Sequence, residues 1–252
     1  AEATAKKAAE RERRRPATTV PVHTAGLPDT PYERLVGRDN ELKQLDAAWT
    51  DPAINVLSLV AEGGAGKSAL VNEWLKRLRA ENYRGAERVL GWSFYSQGSK
   101  ERATAADAFL NWALKELGIE TDTVSASAKG ETIAETLAQR RVLLILDGDE
   151  PLQHGPGPQC GLLKDLGLRA LLRRFAAVPP GEPHGLIVLS SRLAVADIAR
   201  FKDSSAPVRD VERLSDEAGA ALLRDNKVWG TDRELKATSH DFGGHPLALG
   251  LL

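Results

Sequence analysis

The sequence predicts an α/β protein in which a parallel sheet is flanked by helices and followed by a small helical subdomain. From residue 38 to about residue 211, short apolar segments rich in β-branched residues alternate with segments of helical periodicity. The strand segments are apolar throughout, which is typical of strands covered by helices on both faces. After Ser215 only helical patterns follow, and they predict the subdomain.

The sequence predicts five strands and five helices before the helical subdomain, separated by loops. Strands are predicted at 54–60, 88–93, 142–146, 186–190 and 208–211. Helices are predicted at 38–49, 68–80, 104–117, 132–139 and 162–177, with a polar loop over 118–130.

The sequence of residues 1–31 predicts a tether rather than a folded unit. Residues 1–15 favour helix but carry no apolar stripe, and residues 16–31 contain four prolines, which is typical of an extended linker. We therefore predict three segments: a helix and linker over 1–31, a nucleotide-binding domain over 32–213, and the truncated start of the helical subdomain over 214–252.

Composition excludes several classes of protein. The formal net charge of -1 does not favour nucleic acid or a membrane surface as a partner, and no apolar run reaches the ~20 residues of a membrane span. A short basic run at 11–15 is interpreted as part of a solvated linker, with a contact to nucleic acid or anionic lipid as the alternative. Cys160 is the only cysteine, which favours a reducing cytoplasm. The chain has no methionine and ends in an apolar run, so we expect it to be a piece of a longer polypeptide.

A glycine-rich run, AEGGAGKS at 61–68, joins a predicted strand to a predicted helix, which is the setting of a phosphate-binding P-loop. Small residues there let backbone N–H groups turn inward at the helix N-terminus. Lys67 would reach the β- and γ-phosphates of a nucleotide, and the Ser68 hydroxyl would bind Mg²⁺. Ala61 replaces the usual first glycine of the motif. The alternative is a tight turn with an incidental lysine. The predicted phosphate contacts are Gly63, Gly64, Ala65, Gly66, Lys67, Ser68 and Ala69.

Acidic residues end the strand predicted at 142–146. Asp147 comes directly after the strand, where it would be the carboxylate near the metal ion. Glu150 or Asp149, just beyond, would orient the attacking water. An acid that merely caps the strand end is the alternative, but its place after the P-loop favours a role at the metal ion and the attacking water.

A further strand ends in Ser190, Ser191 and Arg192. Ligands gather at the carboxyl ends of parallel strands, so Arg192 either faces the γ-phosphate or is a surface arginine.

These motifs, in this order, resemble the STAND class of NTPases, which includes NB-ARC, NACHT and bacterial NLR-like proteins. The resemblance covers about residues 32–252 and lies in LVGRD at 35–39, EGGAGKSAL at 62–70, LDGDEPLQ at 146–153, SR at 191–192 and GGHPLAL at 243–249. It implies that Val36, Gly37, Arg38 and Pro246 lie near the adenine, and that Arg192 senses the γ-phosphate.

The resemblance also implies a function. Such a module would bind ATP or ADP with Mg²⁺ and hydrolyse ATP slowly. An ADP-bound closed state would open on a signal, exchange to ATP and form a homo-oligomer that activates a fused effector. Effector and sensor domains would lie outside this chain, and bacterial immune or stress signalling, including antiviral defence, would be the setting.

Three other functions compete with this interpretation. A nucleotide-gated transcription regulator would need a DNA-binding domain, of which the chain shows no pattern. A non-hydrolysing scaffold with structural ADP is disfavoured by the intact acids. A GTPase would need Asn-Lys-x-Asp, and the run Asn226, Lys227, Val228, Trp229 lacks the final aspartate.

The aromatic residues and histidines predict little chemistry of their own. The tryptophans are expected to pack in the core or subdomain, namely Trp49, Trp74, Trp92, Trp112 and Trp229. The run at 94–98 either approaches the site or packs against the fold. His245 is either a nucleotide contact or a structural residue, and the five histidines show no zinc-binding spacing.

Overall fold

A computed structural model describes residues 20–27, 34–95, 102–181 and 183–252. Its strands are β1 (Val22–Ala25), β2 (Val56–Val60), β3 (Arg88–Ser93), β4 (Val142–Asp147), β5 (Leu186–Ser191) and β6 (Val208–Asp210). They form one parallel sheet in the order β1-β3-β4-β5-β2-β6. The predicted α/β fold with a parallel sheet is confirmed.

The helices of the described chain follow the predicted alternation. They are α1 (Asp39–Thr50), α2 (Lys67–Ala80), α3 (Arg102–Leu117), α4 (Ala126–Gln139), α5 (Leu166–Ala176), α6 (Asp216–Asp225), α7 (Asp232–Asp241) and α8 (Pro246–Leu249). Short 3₁₀ helices lie at Asn82–Gly85, Glu150–Leu152 and Ala196–Phe201. Among the described residues, no helix is both long and apolar enough to cross a membrane.

Part of the predicted linker is a strand. Val22 to Ala25 pair in parallel with Val89 to Trp92, so β1 forms one edge of the sheet. The prolines that predicted a linker flank this strand and do not interrupt it. The carbonyl oxygen of Pro21 accepts a hydrogen bond from the Val89 N–H at 3.0 Å. The linker prediction is therefore wrong for this segment. Residues 1–19 and 28–33 lie outside the described residues, and the remaining domain divisions stay predictions.

Alternation along the strands divides the core into two layers. On β4, Leu144 and Leu146 face a cluster shared with α3, α4 and α5, whereas Leu143 and Ile145 face a cluster shared with α1 and α2. The second layer contains Trp49 and Trp74, both fully buried. Because both faces are covered, the loops at the carboxyl edge of the sheet are held by packed elements on each side.

Helix α4 begins earlier than predicted. The sequence predicts a loop over 118–130, but the helix starts at Ala126 and Ser125 caps it by accepting the Ala128 N–H at 3.5 Å. Gly130, which weakened the helical pattern, lies where α4 crosses α5, and a Cβ there would overlap the carbonyl oxygen of Gly167. The glycine therefore serves close helix packing, and tertiary contact outweighs its low helix propensity.

The last three helices have a core of their own. It contains Leu214, Leu223, Leu235 and Leu249. The N-termini of α6 and α7 are capped by side chains, and Thr231 forms a capping box with Glu234.

One prediction about the tryptophans is wrong. Trp229 is 96% exposed because it lies in the turn between α6 and α7, just after Lys227 in a left-handed conformation. Trp49, Trp74 and Trp92 are buried and Trp112 packs partly against the core, as expected.

Replacing Gly130 by alanine should destabilise the fold, although alanine normally favours a helix over glycine by about 1 kcal/mol. The overlap with the Gly167 carbonyl predicts a loss of roughly 1–3 kcal/mol in the free energy of unfolding, measured by urea titration. Gly155→Ala is the control, because a Cβ at Gly155 meets nothing within 4 Å. A gain of stability in Gly130→Ala would contradict the close packing of α4 on α5.

Candidate nucleotide-binding site

The glycine-rich loop between β2 and α2 has the conformation that anion binding requires. Gly64 and Gly66 have φ of 80° and 94°, in the left-handed region that favours glycine. Gly66 is the N-cap of α2, and no side chain caps this helix end. The first N–H groups of α2 are therefore directed at the space in front of the helix, where a phosphate would bind.

Lys67 lies inside this loop as a buried cation. Its Nζ donates hydrogen bonds to the carbonyl oxygens of Ala61 at 2.7 Å and Glu62 at 3.1 Å. Burial lowers the pKa of Lys67, while the nearby carboxylates of Glu150 and Asp147 oppose that shift. The ammonium group is thus held at the loop by its own carbonyls, within an acidic surrounding.

Asp147 ends β4 beside the start of α2. Its Oδ1 accepts a hydrogen bond from the Ser68 hydroxyl at 3.0 Å and a further one from the Ser190 hydroxyl. Burial raises the pKa of Asp147, and the two serine hydrogen bonds oppose that shift. Within the described residues no group of three or more His, Cys, Asp or Glu could hold a metal ion. Ser68 and Asp147 nevertheless fit Mg²⁺, which prefers oxygen ligands and commonly takes few from the protein.

Glu150 reaches the site just beyond the strand. It begins a 3₁₀ helix, and its Oε2 accepts a hydrogen bond from the Tyr95 hydroxyl at 2.7 Å. Its Oε1 lies 3.7 Å from Nε of Arg192, which follows the end of β5. The structure therefore brings together the predicted water-orienting acid and the predicted γ-phosphate arginine.

Asp149 points away from the site. It is fully buried, and its carboxyl group has no hydrogen-bond partner among the described residues. The neighbouring Ser191 hydroxyl donates to Oε1 of Gln153 at 3.1 Å instead. Burial raises the pKa of Asp149 to about 7. Of the two acids predicted to orient water, only Glu150 faces the space beside Asp147.

A cavity of about 320 Å³ joins these groups. Its lining includes most of the predicted site residues: Gly63, Gly64, Gly66, Lys67, Ser68, Ala69, Asp147, Glu150, Arg192 and Pro246. The remaining lining residues are Tyr95, Gly148, Ser190 and Leu247. Tyr95 belongs to the run considered at 94–98, of which residues 96–98 are outside the described chain. Ser190 was not predicted as a site residue, although its place at the end of a buried strand could have indicated it.

Several predicted contacts do not line the cavity, namely Val36, Gly37, Arg38, Ala65 and Asp149. Arg38 is buried and supports the loop from behind: it donates to the carbonyl oxygens of Ala65 at 2.9 Å and Glu212 at 2.6 Å. A Cβ on Gly37 would lie 2.5 Å from the Cβ of Ala218 in α6. The segment 35–39 thus ties the P-loop to the start of the helical subdomain, and its contact with adenine stays a prediction.

The far end of the helical subdomain contacts the P-loop directly. His245 caps α8 by accepting the Ala248 N–H at Nδ1, so its Nε2 donates to the Gly63 carbonyl at 3.0 Å. The Leu247 N–H donates to the Gly64 carbonyl at 3.2 Å. Arg213 forms an ion pair with Glu62 at 2.6 Å. His245 therefore has a structural role here, linking the two parts of the chain.

A larger cavity, of about 730 Å³, lies between α3, the loop after it and α4. Its polar lining includes Asp107 and Lys129, which form an ion pair at 2.8 Å. It contains none of the predicted site residues, so size alone does not identify the site.

Comparison with solved structures shows the same fold in several proteins. A signal transduction ATPase with numerous domains and a tetratricopeptide repeat sensor, from Pyrococcus horikoshii, matches with a TM-score of 0.51 and 18% identity. The ORC1 protein of Aeropyrum pernix, solved in complex with DNA, matches with a TM-score of 0.54 and 18% identity. The ORC2 protein of Aeropyrum pernix, solved as ADPNP and ADP complexes, matches with a TM-score of 0.53 and 15% identity.

These matches cover 89%, 88% and 90% of this chain. The chain in turn spans 30%, 59% and 64% of those proteins. No protein-family model and no curated protein sequence matches it. At these identities the likeness establishes the α/β P-loop fold.

Replacing Asp149 by asparagine should make stability less dependent on pH. The folded-state pKa of about 7 lies above the usual value of 3.8 for the unfolded chain, so the folded protein holds a proton that the unfolded protein releases between these values. The free energy of unfolding of the wild type should therefore fall relative to Asp149→Asn as pH rises from 5 to 7, by roughly 2–3 kcal/mol.

Urea titrations at several pH values, with EDTA and no nucleotide, measure this difference. Asp203→Asn is the control, because Asp203 is exposed. A difference in unfolding free energy between the wild type and the Asp149→Asn variant that stays constant with pH would contradict the burial of an unpartnered carboxyl group.

Proposed function

We propose that this chain is the ATP- and ADP-binding switch module of a cytoplasmic STAND NTPase, with slow Mg²⁺-dependent ATP hydrolysis. The observation that carries this proposal is that one cavity is lined by the P-loop, the acidic strand end, Arg192 and Pro246 of the helical subdomain. A nucleotide in that cavity would touch both parts of the chain, so its phosphates can influence how they pack.

The described side chains have suitable roles for phosphoryl transfer. The α2 N-terminus and Lys67 would hold the β- and γ-phosphates, while Ser68 and Asp147 would hold the magnesium ion. When bound, that ion would neutralise charge on the phosphates. Glu150 would orient the attacking water, and Arg192 would face the γ-phosphate.

The contacts between subdomain and P-loop support a switch. His245 and Leu247 are bonded to the carbonyls of Gly63 and Gly64, on the loop that would hold the phosphates. A γ-phosphate that moves this loop would strain those bonds and favour a different packing of the subdomain. We propose that this change controls homo-oligomerisation and a fused effector in bacterial immune or stress signalling.

The solved neighbours bear on the choice of nucleotide and partner. The ORC2 protein was solved with ADPNP and ADP, which supports adenine nucleotides as ligands. The ORC1 protein was solved with DNA, but the present chain has a net charge of -1 and we propose no nucleic-acid contact for it. A transcription regulator and a non-hydrolysing ADP scaffold are the alternatives, and the turnover experiment below tests the second.

Replacing Lys67 by alanine should weaken binding of ATP and ADP roughly 10- to 100-fold, because a charged hydrogen-bond donor to phosphate is lost. Isothermal titration calorimetry with Mg²⁺ measures this, and GTP should bind more weakly than ATP to the wild type. Lys76→Ala is the matched control, since Lys76 is exposed on the same helix. Equal affinity in wild type and Lys67→Ala would refute the P-loop assignment.

Replacing Glu150 by glutamine should lower ATP turnover by about 10²- to 10⁴-fold while nucleotide affinity changes little, because the amide cannot take a proton from water. Phosphate release under saturating ATP measures turnover. Glu73→Gln on the surface of α2 is the control. Turnover in Glu150→Gln equal to that of the wild type would remove Glu150 from the mechanism. Binding without turnover in the wild type would favour the ADP scaffold.

A further inference from the structure

Among the described residues that line the P-loop cavity, Tyr95 is the one with an aromatic side chain. It follows β3, the strand next to β4, and the Phe94 N–H donates to the Asp147 carbonyl at 3.0 Å. That bond fixes the end of β3 beside the acidic strand end. The Tyr95 hydroxyl then reaches Oε2 of Glu150 at 2.7 Å.

A glycine makes room for the Tyr95 ring. Gly148 has a φ of 71°, and a Cβ at this position would overlap ring atoms of Tyr95. The glycine between Asp147 and Asp149 therefore lets the chain turn after β4 and lets the ring lie against the backbone. Tyr95, which is 54% exposed, contacts Gly148 through its ring and Glu150 through its hydroxyl at the edge of the cavity.

The hydrogen bond restricts Glu150 without blocking it. A glutamate side chain has several rotatable bonds and would otherwise sample many positions. A carboxylate has about four acceptor sites, so one bond from Tyr95 leaves acceptor capacity for a water molecule. Arg192, at the end of β5 on the other side of β4, lies 3.7 Å from the other oxygen and adds a second restraint. Burial and the bond to Glu150 also raise the pKa of Tyr95 to about 12, so the hydroxyl keeps its proton at neutral pH.

We propose that Tyr95 is a positioning residue for hydrolysis: its hydroxyl holds the Glu150 carboxylate where it can orient the attacking water. This inference rests on the proposed ATP hydrolysis and adds to it the group that prepares the base. Tyr95 acts through Glu150 and need not touch the nucleotide. Loss of the hydroxyl should therefore slow the reaction and leave nucleotide binding intact.

Tyr95→Phe keeps the ring and removes only the hydroxyl. We expect kcat to fall about tenfold, while KM for ATP and the affinity for ADP stay within about twofold. In a Glu150→Gln background the same change should have no further effect, because the carboxylate that Tyr95 holds is gone. Single-turnover rates of the full chain with excess protein allow these slow reactions to be compared. Tyr83→Phe, remote from the cavity, is the matched control.

The outcomes separate this proposal from the proposed function. Unchanged or faster turnover in Tyr95→Phe, or an equal loss in the Glu150→Gln background, overturns the role of Tyr95 and leaves the hydrolysis standing. A wild type that binds ATP without turnover overturns the hydrolysis itself, and the positioning role with it.

A spectroscopic readout tests the contact independently of turnover. The chain has three tyrosines, so labelling with 3-fluorotyrosine gives three ¹⁹F signals, and the Tyr95 signal is the one missing in Tyr95→Phe. We expect this signal to shift in Glu150→Gln and to stay in place in Glu73→Gln. A Tyr95 signal whose chemical shift is unchanged in Glu150→Gln would overturn the contact on which the positioning role depends.

Discussion

The hydrogen bond between Ser68 and Asp147 is the contact on which the site depends. Asp147 ends β4, whereas Ser68 is far away in sequence, at the start of the helix that follows β2, and β5 runs between these two strands. Parallel pairing brings all three strand ends to one edge, and the hydroxyl of Ser190 on β5 bridges the gap by donating to Asp147. The phosphate loop, the metal ligands and Glu150 can therefore meet only if the register of the whole sheet is correct.

The P-loop is held by hydrogen bonds from the helical subdomain and from Arg38. Its N–H groups at the start of α2 face the cavity, whereas the carbonyls of Gly63 and Gly64 accept hydrogen bonds from His245 and Leu247 of the helical subdomain. Arg38 adds a third attachment by bonding the Ala65 carbonyl and the chain that leads into the subdomain. In the proposed switch, a short loop held in this way would transmit small displacements, because its neighbours are packed and hydrogen-bonded rather than free.

Sequence patterns predicted five of the six strands, together with the P-loop and the acidic residues at the strand ends, because strand periodicity and the P-loop are local signals. Contacts between distant segments could not be predicted in the same way. Strand β1 is four residues long between prolines and exists only through its pairing with β3. Asp149 and Glu150 are adjacent and both follow the turn at Gly148, and no local pattern separates Asp149, which is buried, from Glu150, which lines the cavity. Arg38 lies in a motif that the family resemblance linked to adenine, yet its bonds to distant segments are to backbone carbonyls.

A single nucleotide that contacts both the P-loop and the helical subdomain is central to the proposed switch. Hydrogen–deuterium exchange of the full chain with and without Mg²⁺ and ADP tests this most directly, with Lys67→Ala as the reference that binds phosphate weakly. We expect slower exchange in residues 62–70 and 243–250 together in the wild type, and in neither segment in the variant. Protection of the P-loop with no change in 243–250 would contradict a shared site.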